Sequence, residues 1–154
     1  MRETALDDKD FMAAAIAAAR KVEGNTGDNP PVGAVIVSNG KIIAQGATQP
    51  PGGHHAEVMA IQAAEKIGVD LSSCDFYVTL EPCTFQGRTP PCSALLVSKH
   101  PRRVVVGIRD PHPKVCGQGI AELKGAGIEV EEGILSEEIT TMLASWLERF
   151  SQPA

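Results

Sequence analysis

No part of this chain is strongly basic. Lys and Arg number 14 against 19 Asp and Glu, the net charge is −5, and no Lys/Arg run exceeds the pair Arg102-Arg103. Proteins that grip nucleic acid by neutralising phosphates usually carry a basic face, so this balance weighs against a polynucleotide partner. Cysteine is scarce as well. Four in 154 residues are too few for a disulfide scaffold, and a reducing cytoplasm is the expected compartment. Of these, Cys74 and Cys116 read as small buried hydrophobes. Long apolar runs are also missing. The stretch Met12 to Ala19 amounts to about two helical turns, whereas a membrane span needs about 20 residues. Met1 to Asp10 is polar and mixed in charge, which is not the pattern of a secretory signal. Repeats, low-complexity tracts and linkers are absent, and residues 1–154 read as one domain with ample length for a core.

What is present is a regular alternation of elements. Asp7 or Asp8 can cap an Ala-rich helix running to about Glu23 and ended by Gly24. Residues 24–31 hold Gly, Asn and Pro and read as a loop. Two strands, Val32 to Ser38 and Lys41 to Gly46, flank Asn39-Gly40, the strongest short hairpin signal. Ala56, Met59, Ala60, Ala63, Ala64 and Ile67 recur at helical spacing, and Gly68 ends that helix. A buried strand over Phe76 to Leu80 leads to a helix opened by Pro90-Pro91 and carrying Cys92 to about Lys99. Strand Arg103 to Ile108, helix Gly119 to Gly125 and strand Ile128 to Val130 follow. Ser136 is expected to cap one last helix reaching about Phe150. The order predicts an α/β fold, a three-layer α/β/α sandwich around a mixed five-stranded sheet.

The chemistry concentrates in a split cluster: His55-Ala56-Glu57, then Glu81-Pro82-Cys83, then Cys92. One imidazole and two thiolates form the ligand set of a catalytic zinc with an open fourth position. Zinc draws the pKa of bound water down to about 7. Glu57, two residues after His55, is placed to carry that water's proton. The His-x-Glu and Pro-Cys elements are those of zinc deaminases, in which the Glu is an acid/base and not a ligand. Here eight residues separate Cys83 from Cys92, where the compact signature has two. The alternative is a closed structural zinc with His54 or His112 as a fourth ligand. Against it, structural sites usually pair their cysteines two to four residues apart.

The stretch Val78 to Cys83 followed by Gly87-Arg88-Thr89-Pro90-Pro91-Cys92 resembles the deaminase domain of the bifunctional riboflavin-biosynthesis deaminase/reductases. Asp28-Asn29-Pro30 with Val32-Gly33-Ala34, Val104 to Pro113, and Gly125 to Val130 extend the likeness over essentially the whole chain. It implies the cytidine-deaminase-like fold. It also implies a diaminopyrimidinone substrate carrying a ribosylamino 5′-phosphate, with zinc on His55, Cys83 and Cys92 and proton transfer by Glu57. By position, Asn29 would lie near substrate while Arg88 and Thr89 face the phosphate. Arg88 offers a bidentate fork for phosphate, or is a solvated loop charge. The resemblance further implies a homo-oligomer.

The chain departs from that pattern in places. Thr84-Phe85-Gln86 stands where the family carries a Ser-His-His or Ser-His-Tyr run, so an aromatic wall replaces a polar partner. Phe85 could stack on a heterocycle or belong to the core. Asp110-Pro111-His112-Pro113 replaces Asp-Pro-Asn-Pro, and Gly117-Gln118-Gly119 lacks a cation. The expectation is a stand-alone deaminase domain without a reductase domain. The leading expectation is a zinc-dependent aminohydrolase of a small pyrimidine-type heterocycle, first the riboflavin intermediate and next a free base, nucleoside or secondary-metabolite pyrimidine. Polynucleotide deamination and a non-catalytic zinc domain remain as other classes.

Overall fold

The computed structural model describes residues 7–27, 29–50, 53–83, 92–111 and 116–151. Helix α1 spans Asp8–Arg20. Its N-terminus is closed by a reciprocal cap in which Asp10 N–H donates to Asp7 Oδ1 (3.1 Å) and Asp7 N–H to Asp10 Oδ2 (3.0 Å). Strands β1 (Gly33–Ser38) and β2 (Lys41–Ala47) form the expected hairpin. Asn39 and Gly40, at φ 51° and 77°, take the left-handed conformations that a tight hairpin turn demands. Then come α2 (Ala56–Lys66), β3 (Asp75–Leu80), α3 (Cys92–Lys99), β4 (Arg103–Ile108), α4 (Gln118–Gly125), β5 (Glu129–Glu132), α5 (Ser136–Met142) and α6 (Ala144–Ser151).

The five strands lie in the order β2-β1-β3-β4-β5. β1 is antiparallel to both neighbours, while β3, β4 and β5 run parallel, as expected for a hairpin followed by β-α-β crossovers. Alternation of side chains divides the core in two. Ala34, Ile36, Phe76, Val78, Val104 and Val106 face Ala60, Ile61, Ala64, Leu96, Ile120 and Leu123 of α2, α3 and α4. Val35, Val37, Tyr77 and Val105 face Phe11, Met12, Ile16, Ile139 and Leu143, with Trp146 and Leu147 at the margin. Helices therefore cover both faces, and the predicted three-layer sandwich is the architecture observed.

This topology collects particular segments at one edge. The carboxyl ends of β3 and β4 meet the amino end of β1 and the carboxyl end of β2, because Ala34 pairs with Val78 and Gly33 with Ala47. The Asn29 loop, the entry to α2, the Glu81-Pro82-Cys83 segment and the exit of β4 all leave the sheet there. Crevices outside the carboxyl ends of parallel strands are the usual place for ligands in such sheets. At the opposite edge a charge network ties α1 to the sheet. Arg103 bonds Asp8 and Glu131, Tyr77 O–H donates to Asp8 Oδ1 at 2.5 Å, and Arg102 binds Asp75 bidentately at 2.7 and 2.8 Å.

Some expectations shift. The last helix is two. Leu143, at φ −95° and ψ 11°, separates α5 from α6. Thr140 and Thr141 hydroxyls donate back to the Ser136 and Glu137 carbonyls at 2.7 and 3.0 Å, bonds that bend helices. Ser136 is the first helical residue, not the cap; Leu135 takes that position at φ 57°. Strand β5 runs two residues past Val130. Cys74 is buried as expected, but Cys116 is exposed. Among the described residues no helix is long and apolar enough to cross a membrane.

Candidate active site

His55 is the N-cap of α2, extended at φ −72° and ψ 164°, and Glu57 lies in the first turn behind it. Gly46 makes this placement feasible: a Cβ there would sit 2.4 Å from the Ala56 carbonyl oxygen and 2.5 Å from the Ala60 nitrogen. The helix start is thereby held directly against β2. Cys83 follows the end of β3, and Cys92 opens α3. The start of α3 is tied to Cys83 by Ser93 N–H donating to the Cys83 carbonyl at 3.0 Å. Residues distant in sequence thus converge from two helix starts and one strand end.

His55 Nδ1 lies 3.3 Å from Cys92 Sγ and 3.7 Å from Cys83 Sγ, and Cys92 N–H donates to Cys83 Sγ at 3.3 Å. The three potential ligand atoms all lie within 4.8 Å of one another. Hydrogen bonds from the Cys92 thiol, His55 and the Cys92 N–H hold the Cys83 thiol well below the usual thiol range. Cys92 moves the other way, because its proton is shared toward the Cys83 sulfur and it is buried beside Glu57. The bond with Cys83 raises His55 above the ordinary imidazole value. One sulfur is thus a ready thiolate, and the second lies close enough to join it on a common cation. A coordinated thiol loses its proton outright. This donor set, imidazole with two thiols, suits zinc and leaves a tetrahedral position open. His55, Cys83 and Cys92 are positioned to bind that metal.

Glu57 is 4% exposed. Burial, assisted by the negative charge on Cys83, pushes its carboxyl up to about 7. The Cys83 charge and the Cys92 thiol both act on this carboxyl, which stands beside the ligand cluster two residues after His55. A carboxyl poised near neutrality in a desolvated site is suited to passing a proton in either direction. His54 is exposed and stands apart from the ligand group.

Asn29 is exposed on the loop ahead of β1. Its backbone is anchored: Thr26 Oγ1 donates to the Asn29 carbonyl at 2.6 Å. Buried Thr48 steadies the next residues, accepting from Val32 N–H at 2.9 Å and donating to the Pro30 carbonyl at 3.2 Å. Phe85, Arg88, Thr89 and His112 lie outside the described residues.

Glu81 has a role that the sequence pattern does not announce. Its carboxylate is 3% exposed and accepts backbone N–H bonds from Asp110 (3.0 Å), Gly117 (2.9 Å) and Ile120 (3.1 Å). Its nearness to Cys83 was visible, but its partners lie 29 to 39 residues further on. No local pattern announces such a bond.

Residues 6–108 match the family model described as the cytidine and deoxycytidylate deaminase zinc-binding region. The riboflavin biosynthesis protein RibD of Actinobacillus pleuropneumoniae is 48% identical over 133 residues, covering 86% of this chain and 35% of that protein. The chain therefore spans about a third of the length of that relative. A crystal structure from Thermotoga maritima, of a diaminohydroxyphosphoribosylaminopyrimidine deaminase/5-amino-6-(5-phosphoribosylamino)uracil reductase, superposes with a TM-score of 0.86 at 42% identity. That superposition covers 93% of this chain and 41% of the other. A structure from work on A-to-I editing by tRNA:A34 deaminases gives a TM-score of 0.65 at 30% identity, covering 86% and 98% of the two chains. This chain belongs to the cytidine and deoxycytidylate deaminase zinc-binding family.

Proposed function

We propose that this chain is one zinc-dependent hydrolytic deaminase domain, acting on the 2,5-diamino-6-ribosylaminopyrimidinone 5′-phosphate of riboflavin biosynthesis. The observation that carries the reaction is buried Glu57 in the first turn behind His55, one of a ligand group whose donor atoms lie within 4.8 Å of one another. His55, Cys83 and Cys92 would hold zinc, which would supply Lewis acidity and lower the pKa of a water toward neutrality. Glu57 accepts one proton of the attacking water and delivers it to the ring nitrogen. It then moves the second proton to the exocyclic amine, which leaves as ammonia while the ring carbon becomes a carbonyl. The desolvated surroundings of Glu57 suit it to both transfers.

The substrate assignment rests on likeness to RibD and to the Thermotoga deaminase/reductase, together with Gly87-Arg88-Thr89-Pro90-Pro91 between the cysteines. Asn29 would contact the pyrimidine, Phe85 would stack on it, and Arg88 with Thr89 would bind the phosphate. The net charge of −5 favours this small heterocycle over a polynucleotide. We propose a homo-oligomer in a reducing cytoplasm, where both thiolate ligands stay free of disulfides.

An ammonia-release screen tests the assignment. Its arms are the diaminopyrimidinone 5′-phosphate, the unphosphorylated riboside, cytosine, guanine, their nucleosides and a tRNA anticodon stem–loop. The proposal expects the phosphorylated diaminopyrimidinone to give the highest kcat/KM. Preference for a free base or nucleoside would overturn the substrate, and turnover of the stem–loop alone would move the chain to the tRNA-acting branch.

A further inference from the structure

Helix α4 carries no ligand and no proposed acid or base, yet it is fastened beside both cysteines. Its N-cap, Gly117, has no side chain with which to satisfy the first-turn N–H groups, which every helix leaves open. Glu81 does this from another element. Its carboxylate takes the Gly117 and Ile120 N–H groups and, on the sheet side, that of Asp110. A negative charge at the positive end of a helix is the favourable polarity. Gly119 lets the contact close: a Cβ there would stand 2.3 Å from the Pro82 carbonyl oxygen and 3.2 Å from Glu81 Cγ.

The second attachment lies one turn further along. Glu122, on the same helix, accepts from Ser93 Oγ at 2.7 Å. Ser93 is fully buried, follows Cys92 directly, and donates its N–H to the Cys83 carbonyl. One bond therefore meets the chain two residues before Cys83, and the other one residue after Cys92. Both end on the same rigid helix.

We infer that α4 is a bracket that sets the spacing of the two thiolate ligands, with Glu81 and the Ser93–Glu122 pair as positioning residues. The inference rests on the metal site of the proposed function and concerns this chain's own residues. Groups that orient ligands without touching the metal typically change its affinity by about 10- to 100-fold when removed. The same bonds could serve thermal stability alone, and metal affinity separates the two roles.

The test uses the zinc-loaded full chain with Glu81→Gln, Ser93→Ala, Glu122→Ala and Glu122→Gln. Zinc affinity is read by chelator competition, thiolate geometry by the sulfur-to-cobalt band of the cobalt(II) form, and stability by thermal melting. Glu81→Gln and Ser93→Ala should each weaken zinc by about 10- to 100-fold and shift the cobalt band. Glu122→Ala should do the same, while Glu122→Gln, which keeps an acceptor for Ser93 Oγ, should restore wild-type affinity. Variants that melt earlier yet bind zinc as wild type would overturn the bracket. Should Glu81→Gln fail to fold, the Ser93 and Glu122 variants decide by the same criterion. Wild-type protein that binds zinc tightly but releases no ammonia would refute the proposed reaction and leave the bracket to be judged on affinity alone.

Discussion

Replacing Gly46 with Ala should damage the site from a distance. The added Cβ would lie 2.4 Å from the Ala56 carbonyl oxygen, 2.5 Å from the Ala60 nitrogen and 2.8 Å from Met59 Cβ, against an ordinary contact of at least 3.4 Å. Backbone atoms cannot rotate out of the way, so α2 must retreat from β2 by about 1 Å to regain van der Waals distance. Ala is the better strand residue by about 0.5–1 kcal/mol, but overpacking typically costs about 1–3 kcal/mol. The clash wins. A net loss of about 1–2 kcal/mol lowers Tm by roughly 2–8 °C in a domain of this size.

The functional loss should be larger. His55 and Glu57 sit at the start of α2 and move with it, whereas Cys83 and Cys92 do not. Metal–ligand distances tolerate only about 0.2 Å, and a misplacement of about 1 Å in a catalytic constellation costs about 100-fold in rate. Chelator competition, ammonia release and thermal melting measured on one preparation would separate these effects. Zinc affinity and activity equal to wild type in a folded Gly46→Ala variant would refute the claim that α2 is held at a fixed depth for the sake of the site.

Glu57→Gln should retain zinc while losing about 100- to 10,000-fold in kcat; retained turnover would remove Glu57 from the mechanism. Arg88→Ala should raise KM for the phosphorylated substrate and leave unphosphorylated ones unchanged, and equal losses on both would contradict a phosphate role. Asp8→Asn should lower stability at neutral pH by about 1 kcal/mol, since it weakens charged hydrogen bonds that are partly solvent-screened. The Arg103 guanidinium holds Asp8 below the usual carboxylate value. The stabilisation is therefore complete above the unfolded Asp pKa of about 3.9 and is lost as pH falls through the lower folded value. Urea titrations should show the gap between variant and wild type narrowing below about pH 4; a gap that stays constant in acid would refute this linkage.

Features set by neighbouring residues are legible in the sequence. Asn39-Gly40 marks the hairpin, Gly68 marks the end of α2, and the apolar runs Val32 to Ser38 and Phe76 to Leu80 mark two of the strands. The ligand group was legible because His55-Ala56-Glu57 and Pro82-Cys83 are short motifs whose residue types have few other uses together. Long-range features were not legible. Glu81 looks like part of the motif leading to Cys83, and only the folded chain brings the N–H groups of Asp110, Gly117 and Ile120 to its carboxylate. The break at Leu143 escaped notice because apolar spacing continues through it from Ile139 to Leu147. Threonine hydroxyls turned back on the helix, a pattern that often bends helices, stand just ahead of it. Cys116 read as buried on its residue type alone, but it lies in the exposed turn before α4.

A metal on His55, Cys83 and Cys92, with Glu57 beside it, is proposed to drive hydrolytic loss of an amine. The most direct test of this is ammonia release from the diaminopyrimidinone 5′-phosphate by zinc-loaded, zinc-stripped and zinc-restored protein. The expected result is one ammonia per substrate consumed, loss of turnover on stripping and recovery when zinc returns. Ammonia release that persists after complete removal of the metal, or none from protein carrying a full complement of zinc, would contradict it.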